Sequence, residues 1–400
     1  MNHVTVLSLE QALALPYATE RMVHLGWRVI RVEAPGLSTK ENAGDPNRYI
    51  GEDLGFHDLH SYFIAPNIGK EAITINLKKK EGQALLYRLI RDLNVDVFLC
   101  NTLPKRYEEL GISYTCISKI KPDIIWCGIS AFGPDYPDKA GYDPAMQALM
   151  GFTYLTGEPD GKPVPCGIPI IDLKAGDEAF TQVILALLNK NISGIGKEIN
   201  ISMAQCAASW LITALPQLEF VHDEKNLHKR SGSEHRSFIP CNIYPTKDGM
   251  VYLAIGNDSQ WKKFTMLSGF ESLSTVTRAT NEGRMLEKES IYCEIGERSK
   301  RFSTNEFVDL CLNINLSVSP VHTIKEVAGL NFLKGNLIGT RLPDGRTVSL
   351  FPSAVATDYL KEMKNILSCA PKLGEQNAKI YGELGVTQIE MKLLEEANII

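Results

Sequence analysis

The chain is 400 residues long, 44% hydrophobic and 22% charged, the profile of a folded protein large enough for two domains. Forty-two Lys and Arg against 47 Asp and Glu leave a formal net charge of −5, which excludes the basic excess of a nucleic-acid or anionic-membrane binder. Nine cysteines without a CxxC pair and 8 histidines without an HExxH pair argue against a disulfide framework and a metal site, and suit a reducing, cytoplasmic setting.

The opening, MNHVTVLSLEQALALPYATERM, lacks the basic start of a secretory signal, and Glu10 interrupts its apolar run. No segment approaches the roughly 18 apolar residues of a membrane span, so no membrane partner is expected. Val4–Leu9 predicts a first strand and Ala12 to His24 a helix that ends before Gly26. Arg28–Val32 predicts the next strand, closed by Ala34-Pro35-Gly36, and Ala72–Leu77 another. In Gly82–Leu93, Ala84, Leu85, Leu86, Leu89 and Ile90 fall on one helical stripe; Val95–Leu99 and Ile124–Ile129 read as buried strands. Such alternation implies an α/β domain, a parallel sheet covered by helices. Gly133 to Ile171 holds seven prolines and reads as a long loop, the kind that carries function in a compact domain. Ala175–Leu188 then predicts a strong helix.

Glu219–Ser237 is polar, contains Lys, Arg and Gly, and reads as a linker or mobile loop. Met250–Ala254 predicts a strand and Phe302–Leu312 a helix, inside a smaller α+β domain at 225–330. The large domain takes 1–220, with 331–400 packing back on it. Ala370 to Ile400 carries a helix-turn-helix pattern.

No GxGxxG follows the first strand, no GxxxxGK[ST] occurs and no GxSxG elbow is present, so a dinucleotide fold, a P-loop and a serine-hydrolase site all lack their signatures. Asp172 closes the apolar run Gly167–Ile171 just before a helix. Free N–H groups and the positive helix end there would hold a carboxylate ionised, as a nucleophile requires; the same place suits a capping aspartate. Tyr142, in Gly141-Tyr142-Asp143, suits a pocket wall or plain loop packing. Asn101, just past a buried strand, suits a polar ligand or its own turn. Arg31, Arg48, Lys70, Arg106 and Lys139 are candidate phosphate partners or surface charges.

Taken together the segments resemble the family III (CaiB/BaiF) CoA-transferases, the group of formyl-CoA and carnitine CoA-transferases. The stretches carrying the likeness run in order along nearly the whole chain: LALPYATERMVHLGWRVIRVEAPG from Leu13, Asp45-Pro46-Asn47-Arg48, Asn67-Ile68-Gly69-Lys70, Asp96–Asn101 with Pro104, Ile129–Pro134, Gly141-Tyr142-Asp143 with Gln147-Ala148, Gly167–Gly176, Ile199–Met203, Tyr244–Gly249, Gly256–Trp261, Ser319-Pro320-Val321 and Leu373–Asn377. The resemblance implies a Rossmann-like large domain, a small domain and two ring-like subunits interlocked as a homodimer. It gives Asp172 the place of the catalytic aspartate. It lays Gln11, Ala12 and Ala14 along the CoA loop, puts Asn101, Thr102, Arg106 and Tyr142 in the CoA tunnel, and brings Lys139 to a phosphate. Gln11 stands where histidine is frequent, Thr102 where phenylalanine is, and Ala34 where arginine sometimes stands.

The implied reaction passes CoA from an acyl-CoA to a small carboxylic acid through an aspartyl anhydride and an aspartyl–CoA thioester, with CoA as substrate and no prosthetic group or metal. Ser231-Gly232-Ser233 is the candidate oxyanion loop, or plain linker. Two alternatives remain at this level. An α-methylacyl-CoA racemase shares the fold, but its histidine before the Gly-x-Asp aspartate is Tyr142 here. A non-catalytic CoA-binding relative fits the departures but not the retained Asp172.

Overall fold

The computed structural model describes residues 4–36, 42–220 and 229–400. The chain divides into two compact units: Met1–Met150 with Cys166–Glu219 and Asn331–Ile400, and Gly151–Pro165 with Phe220–Leu330. The proposed boundary at 225, and 221–228 of the expected linker, lie outside the described residues.

The first unit is built on a six-stranded sheet: β1 (Thr5–Leu9), β2 (Arg28–Glu33), β3 (Glu71–Thr74), β4 (Val97–Cys100), β5 (Ile125–Ser130) and β6 (Lys197–Ser202). Its order is β3-β2-β1-β4-β5-β6, and every pairing is parallel. The α/β expectation therefore holds, in the order of a doubly wound nucleotide-binding sheet. Central strands are apolar throughout because helices cover both faces; Val97, Phe98, Leu99 and Cys100 are all fully buried. Helix Lys80–Asp92 contributes Leu86, Leu89 and Ile90, likewise without exposure, each worth about 1.5–3 kcal/mol of transfer free energy. Its predicted stripe was right, while Ala84 falls outside the buried set.

Edge strand β3 would leave open N–H groups. The C-terminal segment meets them: the Ala72 N–H donates to Gln376 Oε1 at 2.6 Å, and the Thr74 N–H to Asn377 Oδ1 at 2.9 Å. Tyr381 donates its hydroxyl to Thr74 O at 2.6 Å, and Ile399 and Ile400 join the same core. The predicted helix-turn-helix is Asn377–Glu383 and Gln388–Glu396. A second sheet in this unit joins β10 (Ile338–Arg341), β11 (Thr347–Leu350) and β12 (Ile366–Leu367).

Three readings need correction. The stretch 133–171 is not all loop: it contains helices Asp143–Leu149 and Phe152–Leu155. Pro144 sits at the start of the first, where its missing N–H costs nothing. The helix expected from Ala175 begins at Ile170 and runs to Ser193, so Asp172 lies within its first turn. Strand β6 was not anticipated because its burial is uneven, with Lys197, Glu198 and Asn200 exposed.

The second unit holds the antiparallel sheet β7 (Cys241–Pro245), β8 (Met250–Ala254), β9 (Ser317–Pro320), in that order. Its own core collects Tyr244, Leu253, Trp261, Phe264, Phe270 and Phe307. No helix among the described residues is long and apolar enough to cross a membrane.

Candidate active site

The order of the sheet reverses between β1 and β4. From β1 the chain moves outward to β2 and β3, then resumes on the other side with β4. The loops after these two neighbours diverge, and such a switch point leaves a crevice at the strand ends. The loop after β1 is fixed there by side chains. Asn101, just past β4, accepts the Gln11 N–H at 3.1 Å and donates its amide to Gln11 O at 2.7 Å. Ala12 has φ +60°, which strains a residue bearing a Cβ by about 1–2 kcal/mol. Asp45 Oδ1 accepts the Ala12 N–H at 3.1 Å, and Asn47 donates to Ala12 O at 2.9 Å, which holds that conformation in place.

Asp45 is itself held by buried charge. Arg31 donates to Asp45 at 3.1 Å and to Glu33 at 3.0 Å; Arg48 pairs with Glu33 at 2.5 Å and Lys70 with Glu10 at 2.7 Å. Three cations and three carboxylates thus balance inside the fold, all six side chains essentially without exposure. Burial alone would raise Glu33, but Arg31 and Arg48 overcome it and hold the acid at about 2. The reading of Arg31, Arg48 and Lys70 as phosphate partners fails for this reason: their charge is consumed in bracing the loops 10–12 and 44–47.

Three cavities open along this crevice, linked by shared walls. The first, about 400 Å³, lies between the ends of β1, β2 and β4 and includes Gln11, Ala34, Thr102 and Arg106. The second, about 180 Å³, shares Gln11, Asn101 and Thr102 with it and adds Ala12, Ala14, Tyr142 and Asp172. The third, about 600 Å³, shares Gln11, Ala12, Tyr142 and Asp172 and extends to Tyr62, Cys166 and Ile168. Seven of the expected site residues (Gln11, Ala12, Ala14, Asn101, Thr102, Tyr142, Asp172) therefore meet around one small space. Arg106 lines the first cavity, 3.6 Å from Glu109. Lys139 lines none of the three; its ammonium lies over the rings of Tyr136 and Phe132, at 4.5 and 5.5 Å. Asn101 lines two of them, with its amide spent on Gln11. Tyr142 is 74% exposed.

Asp172 does not cap its helix. Asp143 does: its Oδ2 accepts the Ile171 N–H at 2.7 Å and the Asp172 N–H at 3.2 Å. Among the described residues the Asp172 carboxylate has no hydrogen-bond or ion-pair partner. Burial, and then the Asp143 carboxylate, push it up to about 7. This overturns the expectation that the helix end holds it ionised, because the N–H groups that would have done so serve another acid. Burial, with Asp172 and Asp143, also raises the Tyr62 phenol, which stays a neutral donor in the third cavity.

Asp143, Gln147, Asp45 and Asn47 stand in the family-like stretches of the sequence, which by itself gives them no role. Their signal was local: both aspartates precede a proline that opens a helical turn, and Asp143 and Gln147 stand four apart on one helix face. Ser231-Gly232-Ser233 lies in the second unit. There the Gly232 N–H donates to Gly157 O at 2.9 Å, the Ser231 hydroxyl to Glu234 O at 3.1 Å, and the Ser233 hydroxyl to Asn242. All nine cysteines are free thiols, and no cluster of three or more His, Cys, Asp or Glu that could hold a metal occurs among the described residues.

A family model described as CoA-transferase family III matches residues 1–377. A succinate–glutarate CoA-transferase from Agrobacterium fabrum is 28% identical, over 96% of this chain and 95% of its own. A succinyl-CoA:glutarate CoA-transferase from Mus musculus is 30% identical, over 82% of this chain and 73% of its own. The crystal structure of a CaiB/BaiF family protein from Brucella suis superposes with a TM-score of 0.82 at 27% identity, covering 95% of this chain and 98% of that one.

Proposed function

The chain belongs to CoA-transferase family III, and on that footing we propose that it passes CoA between carboxylic acids through a covalent sequence on Asp172. The supporting observation is the uncapped Asp172 carboxylate at the junction of two cavities. A carboxylate without hydrogen bonds keeps its lone pairs free for attack.

An ionised Asp172 oxygen attacks the thioester carbonyl of the donor acyl-CoA; the C–S bond breaks and CoA thiolate leaves a mixed anhydride. Thiolate attacks the aspartyl carbonyl of that anhydride and expels the donor acid as its carboxylate, leaving an aspartyl–CoA thioester. The acceptor carboxylate attacks this thioester and releases thiolate again. Thiolate then attacks the acceptor's carbonyl, and Asp172 departs with its carboxylate restored. Donor and product are both CoA thioesters, so the overall exchange is nearly balanced in energy and neither nucleotide hydrolysis nor a prosthetic group enters the scheme.

CoA lies along the crevice past Gln11, Ala12, Ala14, Asn101, Thr102 and Tyr142, with Arg106 and Lys139 offering charge to its phosphates. Succinyl-CoA is the proposed donor and a short acid such as glutarate the acceptor, the acids in the relatives' names. The protein acts in the cytoplasm, as its unpaired cysteines suggest, and as an interlocked homodimer, as the resemblance suggests. Exposed apolar side chains such as Ile192, Ile195, Ile212 and Leu215, 63–88% exposed, supply the surface an obligate partner would cover.

Trapping tests the assignment. Enzyme incubated with succinyl-CoA and quenched with hydroxylamine should carry a hydroxamate on Asp172 in peptide mass spectra. A wild-type enzyme that exchanges CoA yet stays unmodified there would refute it.

A further inference from the structure

Asp143 is 3% exposed and Gln147 1%, and the two form one chain of hydrogen bonds along the segment that leads into Asp172. The Cys166 N–H donates to Gln147 Oε1 at 2.8 Å, and Gln147 Nε2 donates to Asp143 Oδ1 at 2.5 Å and to Ile168 O at 3.4 Å. Asp143 Oδ2 receives the Ile171 and Asp172 N–H groups. The chain therefore ends on N–H donors at both sides. Two amides cannot satisfy both ends, because one donor would then face another; the pair needs one carboxylate. Hydrogen bonding alone would accept that carboxylate at position 143 or at 147. The sequence places it at 143, beside Asp172.

We propose that Asp143 is a positioning residue for the reaction: it occupies the N–H groups at the head of the Asp172 helix, so that the Asp172 carboxylate stands uncapped next to a fixed negative charge. This rests on Asp172 being the nucleophile. The consequence is a carboxylate more basic than an ordinary aspartate, through its burial first and then through the Asp143 charge beside it, which no helix N–H offsets.

Among the described residues, no charge other than Asp143 acts appreciably on Asp172. Tyr62, Tyr142 and Asp45 line the third cavity with Asp172 and Asp143, and Asp45 is paired with Arg31. On the same helix Lys174 is tied to Glu178 at 2.8 Å, and Asp177 is tied to Arg21 of the neighbouring helix Ala14–Val23, which also carries Tyr17 and Glu20. Helix Met203–Trp210 brings Cys206, β5 Cys127, and β6 Lys197 and Glu198. Of all these, Asp143 is the charge that bears on Asp172.

The test is the pH dependence of single-turnover labelling of Asp172 by succinyl-CoA and hydroxylamine, in wild type, D143N and the D143N/Q147E double variant. In the double variant the new amide at position 143 turns its oxygen to the Ile171 and Asp172 N–H groups and its nitrogen to the new carboxylate at position 147. That carboxylate also takes the Cys166 N–H. The main bonds persist, only the weak one to Ile168 O is lost, and the charge moves one helical turn away from Asp172. The wild-type midpoint is expected near pH 7. In both variants it should fall by about one pH unit. A midpoint that stays put in the folded double variant would overturn the proposal, since a purely structural Asp143 is replaced there without moving any charge that matters. A double variant that does not fold would contradict it too, by showing that the bond pattern is not what Asp143 and Gln147 share. Absence of label on wild-type Asp172 at every pH would instead refute the nucleophile assignment.

Discussion

Asp172 was visible in the sequence by its place before a helix, but its electrostatics were not. An exposed helix end would hold such an acid ionised; here Asp143, 29 positions earlier in the chain, reaches the same N–H groups. Such long-range competition leaves no trace at position 172. The same holds for Arg31, Arg48 and Lys70, whose residue type suggests phosphate while their burial among Glu10, Glu33 and Asp45 spends them on the fold. The raised Asp172 carries a stability signature. Its folded carboxyl titrates near 7, above the 3.8 of an ordinary aspartate, so the native state binds the extra proton between those values. Stability tied to this group is present below pH about 4 and lost as pH rises to 7. D172N removes the penalty. Its Tm should match the wild type near pH 4, exceed it increasingly up to about pH 7 and keep that margin to pH 8, in thermal scans across that range. A difference that shrinks with rising pH would mean that the carboxyl is not raised.

At the scale of elements, the strands and the helix Lys80–Asp92 were legible because alternation and helical spacing survive in one sequence. Strand β6 and the two short helices within 133–171 were not: the strand has a half-wet face, helix Asp143–Leu149 opens on a proline that can begin a helix as readily as end one, and Phe152–Leu155 is a single turn after Gly151. Helix Ile170–Ser193 holds Asp172 by packing on helix Ala14–Val23, and Gly176 makes that approach close. A Cβ there would stand 2.5 Å from Ala14 O and 2.9 Å from the Tyr17 ring. Gly176→Ala should therefore force the helices apart, lower stability by about 1–3 kcal/mol and reduce exchange by moving both Asp172 and the Ala12–Ala14 wall. Denaturant melts and CoA exchange rates measure the two effects; a variant with wild-type values in both would mean that the contact is slack.

Across the whole molecule, family and sheet class could be read because ordered motifs recur along nearly the entire chain. The site's wiring could not, since Gln11 with Asn101, and Ala12 with Asp45, join residues 90 and 33 positions apart. A second copy of the chain belongs to the proposed assembly. Light scattering at micromolar concentration should give twice the mass of one chain, and a monomer would argue against the interlocked arrangement. The covalent path through Asp172 has a more direct signature in its oxygen atoms. In the proposed sequence the acceptor's attacking oxygen would stay on Asp172 when product departs and would leave in a later turnover with the donor acid. With ¹⁸O-labelled acceptor acid in ordinary water, the released donor acid should acquire ¹⁸O over repeated turnovers; a donor acid free of acceptor oxygen while exchange proceeds would contradict an anhydride on Asp172.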